Sequence, residues 1–453
     1  MKLKTEFKNK YNKIHYRIYE LDNGISVIHL ENPTTIDFDF SIVVKAGSYY
    51  ESKESVPKGT AHFLEHMFFN PNTYYKTRSS LETFEAGNKQ RPRIYVNAVT
   101  TRKNIYLTGH SNHNGAFRVL ERVANLVDFP KEKFDKYIEK ERNIILAEKK
   151  GQKKQGRNPM EESVKFLLED SYPELVYNPV GEIEEIKKIT LEDLHKYFVK
   201  RFTTGNTVFA IQENISPSAT LEKKLEKISK RFANQKPSSF PKLELDNKFK
   251  IGRFHDDTLS GINTYLFYFE KEKREFDYKY VAVKDISYEL INKLAFDILR
   301  EKEGLIYDFS TFESKTYIFG YNVQGIRFVS DLERFSDTLE GLYTVLKEEI
   351  FRFLDSKEGE DWFLDILSTF IYPRTIPYDS KLIEGVSSTY LEKKELFNNN
   401  LYVKEAREVK VEDVRKFLEK RFNTPPHIWL ESEGDGKKLD GIVKDSSFGK
   451  RFG

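Results

Sequence analysis

The twelve residues Leu191–Phe202, with the sequence LEDLHKYFVKRF, return 220 residues later as Val411–Phe422, VEDVRKFLEKRF. Six of the twelve positions are identical, and most of the apolar positions keep an apolar residue. Each copy precedes a short apolar run that is typical of a β-strand, at 208–211 and at 428–430. A repeat with so long a period predicts two halves of one architecture rather than a solenoid.

A break rich in proline and serine, QKPSSFP at 235–241, lies between the two copies. A chain of 453 residues is too long for a single compact core, and Pro/Ser clusters mark the connections between domains. We therefore predict an N-terminal domain at 1–233, a linker at 234–245 and a homologous C-terminal domain at 246–453.

The composition describes a globular protein and excludes several kinds of site. The net charge is only +3, so no strong positive field predicts a nucleic-acid partner. The absence of cysteine excludes disulfides and cysteine-bound zinc, which leaves histidine and carboxylates as metal ligands. The N-terminus has no apolar signal segment and no run reaches membrane-spanning length, so we expect a cytoplasmic protein without a membrane partner.

Alternating and periodic apolar residues predict the elements of the first half. Strands are predicted at 25–30, 38–45, 94–99 and 104–108, and helices at 114–127, 131–154, 159–171 and 191–201. A further helix is predicted to begin near Gly59 and Thr60, with Thr60 as its N-cap.

That helix carries the sequence His62-Phe63-Leu64-Glu65-His66. Histidines four residues apart lie on one face of a helix, where both can bind a single ion. Glu65 follows His62 by three residues, so its carboxylate lies beside that ion. This order, HxxEH, is the reverse of the commoner zinc-peptidase motif HExxH and predicts the same chemistry. The alternative is a pair of structural histidines next to a surface glutamate.

A catalytic zinc site needs a third protein ligand. In the helix predicted at 131–154, apolar and acidic residues follow one another at steps of four, three, four and three, which places them on one inward stripe: Phe134, Ile138, Glu141, Ile145 and Glu148. Carboxylates on an apolar stripe are costly to bury unless a cation meets them. A metal ion meets that need, although a partly exposed stripe would not require one.

These motifs, 60–67 (TAHFLEHM) and 141–148 (ERNIILAE), resemble the M16 family of metallopeptidases, of the short two-domain type that includes the mitochondrial processing peptidase. Two further stretches are similar to family motifs: Asn97-Ala98-Val99-Thr100 in the first half, and residues 300–307 (REKEGLIY) in the second. The resemblance implies an α+β fold of two homologous domains, each an antiparallel-rich β-sheet packed with helices. It also implies a dimer that closes as a clamshell chamber.

The resemblance further implies a role for each matching residue. It makes His62, His66 and Glu148 the ligands of one zinc ion per chain, Glu65 the general base, and Glu141 a carboxylate that orients the site. Arg300 and Tyr307 would hold the substrate and stabilise the oxyanion, and the strand with Asn97 and Ala98 would bind the substrate backbone. His66 and Glu148 are 82 positions apart, several more than the family usually shows. If the excess does not lie in the loop at 71–93, Glu141 would be the ligand instead.

Together these features predict a zinc-dependent endopeptidase that hydrolyses unstructured peptides in a closed chamber, with a zinc-bound water activated by Glu65. The partner would be a second copy or a related M16 subunit. The alternative is a non-proteolytic scaffold subunit of the same fold, but such members lose a ligand or the base, and this chain keeps all of them. The isolated His110 and His113 lack a carboxylate at helical spacing and are predicted to be surface residues.

Overall fold

A computed structural model describes most of the chain. The described residues are 1–152, 159–169, 171–173, 176–239, 243–245, 249–256, 259–273, 275–314, 320–369, 382–433 and 436–452. They divide into two compact units, each built around one mixed β-sheet that is packed with helices. This confirms the predicted α+β fold class with two domains.

The first unit contains the first seven strands and the second unit the remaining five. The strands are β1 Lys2–Lys8, β2 His15–Glu20, β3 Ser26–Glu31, β4 Asp37–Val44, β5 Tyr95–Thr100, β6 Ile105–Asn112, β7 Thr207–Glu213, β8 Ile251–His255, β9 Ile262–Lys271, β10 Asp308–Ser314, β11 Tyr321–Ser330 and β12 His427–Ser432. The helices are α1 Thr60–Phe68, α2 Arg78–Glu85, α3 Ala116–Ala124, α4 Lys131–Phe134, α5 Ile138–Gln152, α6 Pro159–Leu168, α7 Ile183–Ile186, α8 Leu191–Arg201, α9 Ala219–Ser229, α10 Tyr278–Ala295, α11 Phe335–Tyr343, α12 Val345–Leu354, α13 Lys357–Thr369, α14 Leu382–Lys393, α15 Asn399–Arg407, α16 Val411–Asn423, α17 Gly436–Asp445 and α18 Ser447–Phe452. A 3-10 turn, Asp135–Tyr137, separates α4 from α5, and a π-helix, Phe296–Lys302, follows α10.

The two sheets repeat one strand order. The first runs β1-β2-β3-β7-β4-β6-β5, and the second, read from its other end, runs β8-β12-β9-β11-β10. Beyond β1 and β2 the pairings also agree, because β3/β7 and β8/β12 are parallel while the three following pairs in each sheet are antiparallel. The architecture is therefore duplicated, as the repeated segment predicts.

The repeated segment forms α8 and α16, each leading into the strand that pairs in parallel. Both helices bury an arginine near their C-terminal end, Arg201 and Arg421, against an aromatic ring. The guanidinium of Arg201 lies 3.8 Å from the ring centre of Tyr50, and that of Arg421 lies 4.3 Å from the ring centre of Tyr268. The arginine of the identical Lys-Arg-Phe ending thus anchors each helix through a cation–π contact, on Tyr50 in the 3-10 turn after β4 and on Tyr268 in β9.

The units do not follow the sequence strictly. The first unit comprises Met1–Asn158, Tyr172–Phe240 and Ile376–Asn398. The second unit comprises Pro159–Ser171, Pro241–Thr375 and Asn399–Gly453. The chain passes from one unit to the other at 240–241, inside the predicted linker, but each predicted half also contributes one segment to the other unit. Helix α14 is such a segment, and it packs on β4 and β7 of the first sheet.

Most predicted elements of the first half occur within a few residues of their expected bounds. The helix predicted at 131–154 is interrupted by the turn Asp135–Tyr137, and its residues beyond 152 lie outside the described part of the chain. Within the described residues, no helix combines the length and the apolar character that a membrane crossing requires.

Candidate metal centre

Helix α1 begins in a tight, buried turn. Gly59 is the N-cap residue with φ of +94°, a conformation that glycine adopts without strain, so the predicted N-cap at Thr60 is wrong. A Cβ at Gly59 would lie 2.6 Å from the carbonyl oxygen of Val180. The buried carboxylate of Glu51 replaces a capping side chain, because it accepts hydrogen bonds from the N–H groups of Gly59 (3.0 Å) and Ala61 (2.8 Å). Glu51 therefore fixes the start of the helix that carries the HxxEH motif.

Helices α1 and α5 bring three of the predicted ligands together. The side chains of His62, His66 and Glu148 each offer a ligand atom within 4.8 Å of the other two. The Oε2 atom of Glu148 lies 3.8 Å from Nε2 of His62 and 3.6 Å from Nε2 of His66. The two imidazole rings stand edge to face, with centres 4.7 Å apart. The two histidines of α1 and the carboxylate of Glu148 on α5 thus point at a common position.

These distances fit a metal ion better than a set of direct hydrogen bonds. Separations of 3.6–3.8 Å exceed the hydrogen-bonding range. Donors that bind one tetrahedral zinc ion at about 2.0–2.2 Å lie about 3.3–3.6 Å apart. Two imidazoles and one carboxylate, with a fourth position open, form a donor set of hydrolytic zinc sites.

Glu141 has a different place from Glu148. Its Oε2 atom lies 3.5 Å from Nδ1 of His66, on the opposite side of the ring from the nitrogen that faces Glu148. A carboxylate at the second nitrogen fixes the orientation and tautomer of a ligand histidine. The geometry therefore favours Glu148 over Glu141 as the third ligand.

The predicted stripe of the helix at 131–154 is the inward face in the structure. Phe134, Ile138, Glu141 and Ile145 are buried, and the Glu148 side chain is 38% exposed. The two carboxylates thus differ in surroundings as well as in position, and the more exposed one faces both histidines.

The electrostatics of the two histidines also differ. Burial, together with the charge of His66, lowers the pKa of His62 to about 3. Burial acts in the same direction on His66, but the hydrogen bond to Glu141 and the charges of Glu65 and Glu148 outweigh it and raise the pKa of His66. Burial opposes ionisation of Glu141, yet its hydrogen bonds to His66 and Asn70 lower the pKa of Glu141. Helix α5 thus supplies the negative charge that balances this site.

Glu65 lies on α1, in the cleft beside His66. The hydroxyl of Thr100, the last residue of β5, donates a hydrogen bond of 2.5 Å to Oε2 of Glu65. Burial raises the pKa of Glu65, against the effects of the Thr100 hydrogen bonds and of His66. A buried carboxylate with a raised pKa can both accept and return a proton near neutral pH.

Among the strands that the structure describes, β5 is the last of the first sheet and pairs only with β6. It places Asn97 on the wall of the cleft next to Glu65, whereas Ala98 is buried. The free edge of β5 is therefore open for a further strand beside the candidate centre.

Arg300 and Tyr307 belong to the second unit. Arg300 lies in the π-helix, with its guanidinium 4.9 Å from the ring centre of Phe296. Tyr307 is 57% exposed, and its hydroxyl donates a hydrogen bond of 2.7 Å to Asp331. That bond raises the pKa of Tyr307.

The sequence did not indicate the role of Glu51, since an acidic residue nine positions before the first residue of a helix has no recognisable spacing. His110 and His113 have side chains that are 43% and 47% exposed, and each faces a carboxylate: His110 Nδ1 lies 2.8 Å from Asp39, and His113 Nδ1 lies 3.6 Å from Glu213. Both partners come from neighbouring strands, so helical spacing could not reveal them.

Two profiles of one protein family match successive parts of the chain. Residues 26–171 match the sequence profile of Insulinase (Peptidase family M16), and residues 188–356 match that of the Peptidase M16 inactive domain. The chain is 24% identical over 363 residues to an uncharacterized zinc protease of Rickettsia felis, a match that covers 77% of this chain and 81% of that protein. It is 30% identical over 200 residues to the probable mitochondrial-processing peptidase subunit beta of Arabidopsis thaliana, covering 43% of this chain and 35% of that protein. Apart from the Rickettsia protein, the matched part spans half or less of the curated relatives' own length.

Solved structures share the fold at low sequence identity. The first half of the periplasmic protease PqqL from Escherichia coli is similar with a TM-score of 0.73 at 14% identity, covering 99% of this chain and 96% of that one. Pitrilysin is similar with a TM-score of 0.71 at 19% identity, covering 96% of this chain and 47% of that one.

Proposed function

Because this chain belongs to peptidase family M16, we propose that it is a zinc-dependent endopeptidase that hydrolyses unstructured peptides. The observation that carries the proposal is the grouping of His62, His66 and Glu148 around one position, with Glu65 in the adjoining cleft. Relatives named as zinc proteases and as a processing peptidase subunit support the same class of reaction.

In this proposal His62, His66 and Glu148 hold the zinc ion. When bound, zinc lowers the pKa of a coordinated water toward 7 and polarises the carbonyl that is attacked. Glu65 accepts the proton from the attacking water and then returns it to the leaving amine. Thr100 holds the carboxylate of Glu65 through the hydrogen bond to Oε2, and Glu141 holds the ring of His66.

The substrate would bind as an added strand on the edge of β5. Such binding reads mainly the peptide backbone, with Asn97 and Ala98 at the centre of the strand. It therefore favours substrates that are unfolded or extended, and it accepts a broad set of sequences.

We further propose that the active form is a dimer with a closed chamber. In it, Arg300 and Tyr307 of one chain complete the zinc site of another, where the tyrosine hydroxyl stabilises the oxyanion. The exposure of Tyr307 supports this proposal, as do relatives whose names describe them as one subunit of a processing peptidase. The partner is either a second copy or a related subunit.

The substitution Glu65→Gln tests the proposed reaction. We expect at least a roughly 100-fold loss of peptide hydrolysis, because the amide cannot accept the proton, while zinc binding is retained. Hydrolysis of a set of unstructured peptides, followed by mass spectrometry with and without a chelator, measures activity, metal dependence and cut sites together. The matched control is Glu132→Gln, at an exposed glutamate of α4 outside the cleft. Wild-type rates in Glu65→Gln would contradict the mechanism.

A further inference from the structure

A cleft of about 820 Å³ adjoins the candidate metal centre in the first unit. Glu65, His66 and Glu141 line it on the side of the centre, together with Asn97 of the edge strand. Any peptide on that edge would place its side chains next to the remaining walls, so the chemistry of those walls bears on which peptides bind.

One wall comes from the segment between α1 and β5. It presents Lys76 and Arg78 to the cleft, where Arg78 is the first residue of α2. Thr77 caps that helix, because its hydroxyl oxygen accepts a hydrogen bond of 3.1 Å from the N–H of Ser80. The other end of α2 is fastened to α3, since Nε of the buried Arg122 donates a hydrogen bond of 2.6 Å to Glu85. This wall is therefore a capped helix whose C-terminal end is fixed to α3.

A second part of the lining comes from the turn before α5 and the first turn of α5 itself. It presents Lys136 and Lys140, four residues apart and hence on one side of the chain where the helix begins. Helix α5 also carries Glu141 and Glu148, so this wall is rigidly connected to the metal centre.

The cleft therefore carries more positive than negative charge. Four basic side chains line it, whereas its two acidic residues, Glu65 and Glu141, are bound to Thr100 and His66. Arg78 pairs with Glu82 at 3.1 Å and Lys140 lies 3.7 Å from Glu141. Lys76 and Lys136 have no acidic partner among the residues that the structure describes.

We propose that this cleft selects peptides with acidic side chains close to the scissile bond, an inference that rests on the proposed function. Lys76 and Lys136 are the specificity-determining residues, because neither ammonium group has an acidic partner among the described residues. The ammonium group of Lys136 lies 4.8 Å from the ring centre of Tyr137, which lines the same cleft. A cleft with a net positive charge concentrates ligands that carry negative charge, and opposite charges also lower the dissociation rate once the ligand is bound.

The test uses three unstructured peptides that are identical except for the residues flanking the cut site, which are Glu, Gln or Lys. For the wild-type chain we expect the highest kcat/KM with the Glu peptide and the lowest with the Lys peptide. In the double variant Lys76→Gln/Lys136→Gln, the Glu-to-Lys ratio should fall about 3-fold for each cation removed, which is typical of exposed ion pairs. The ratio should also fall with added salt. The control is Lys223→Gln/Lys227→Gln on α9, where both lysines are exposed and distant from the cleft lining.

Binding of the same peptides, labelled with fluorescein, to the Glu65→Gln chain separates this inference from the proposed function. Suppose that binding is selective for the Glu peptide, that the double variant loses this selectivity, and that the wild type cleaves none of the peptides. That result would refute the peptidase and leave the cleft assignment standing. Equal kcat/KM for the three peptides would overturn the cleft assignment and leave the peptidase intact. Absence of both cleavage and binding would overturn both.

Discussion

At the scale of single residues, the candidate centre depends on which histidine nitrogens the two glutamates of α5 face. Glu148 faces Nε2 of both histidines, while Glu141 faces Nδ1 of His66. Seven residues separate them, close to two helical turns, so both lie on the face that α5 turns towards α1. One of them is thus placed to bind an ion, and the other to orient a ligand of that ion.

This division predicts unequal effects on zinc affinity. We expect Glu148→Gln to weaken zinc binding more than Glu141→Gln, because it removes a ligand charge. Loss of the orienting carboxylate should cost about 10- to 100-fold. Competition with a chromogenic chelator measures both affinities, with Glu132→Gln as the control. A larger loss in Glu141→Gln would make Glu141 the ligand.

At the scale of elements, the start of α1 relies on a buried carboxylate. Burial raises the pKa of Glu51 to about 8, against the hydrogen bonds from Ala61 and Gly59 and the charge of Lys58. Between pH 4.5, the ordinary pKa, and pH 8, the folded chain keeps a proton that the unfolded chain releases. The contribution of Glu51 to stability is therefore complete below pH 4.5 and is lost as the pH rises to 8.

Urea unfolding at several pH values tests this dependence. Relative to Glu51→Gln, the wild-type free energy of unfolding should fall as the pH rises from 5 to 8, by up to about 1.4 kcal/mol per pH unit. The comparison between the two proteins cancels the titration of other groups, and Glu132→Gln should follow the wild type. A constant difference between the two proteins across this range would contradict the role of Glu51.

At the scale of the whole molecule, the first unit depends on a segment from late in the chain. Ile383, Tyr390, Leu391 and Leu396 pack in one apolar cluster with residues of β2, β3, β4 and β7. Polar contacts fix the position of the segment, since the Tyr390 hydroxyl donates to Ser26 (3.2 Å) and Lys103 pairs with Glu392 (3.0 Å). The sheet is therefore only partly covered by the residues that precede the linker.

The fragment 1–240 should accordingly be less stable than the same fragment with residues 382–398 joined to it by a flexible linker. Each large apolar side chain that is buried contributes about 1.5–3 kcal/mol, so we expect a difference of at least about 3 kcal/mol in urea unfolding. A joined segment with Leu391→Asp serves as the control and should give little gain. Equal stability of the fragment with and without the segment would show that the segment adds nothing to this core.

Completion of the site by a second copy predicts complementation. Glu65→Gln and Tyr307→Phe chains should each be nearly inactive, yet a refolded equal mixture should recover about a quarter of wild-type activity, because half of the dimers are mixed and each has one intact site. Sedimentation velocity on the same samples reports the assembly. Full activity of a species that stays monomeric would exclude a shared site, and a related partner subunit would leave the mixture inactive until that subunit is added.

The sequence by itself determined the duplication, the fold class and the residues that meet at the candidate centre. The duplication follows from the repeated twelve residues of α8 and α16, and the steps of three and four put His62 and His66, or Glu141 and Glu148, on one helix face. The fold class follows from the resemblance of these motifs to the M16 family. The resemblance already favoured Glu148 over Glu141 as the ligand, and the distances to His66 support that choice. Only the tertiary structure placed Glu51 at the start of α1, assigned α14 to the first unit and gathered Lys76 and Lys136 around one cleft. Such contacts join residues that are distant in sequence, and their partners are set by how helices and strands pack rather than by any spacing along the chain.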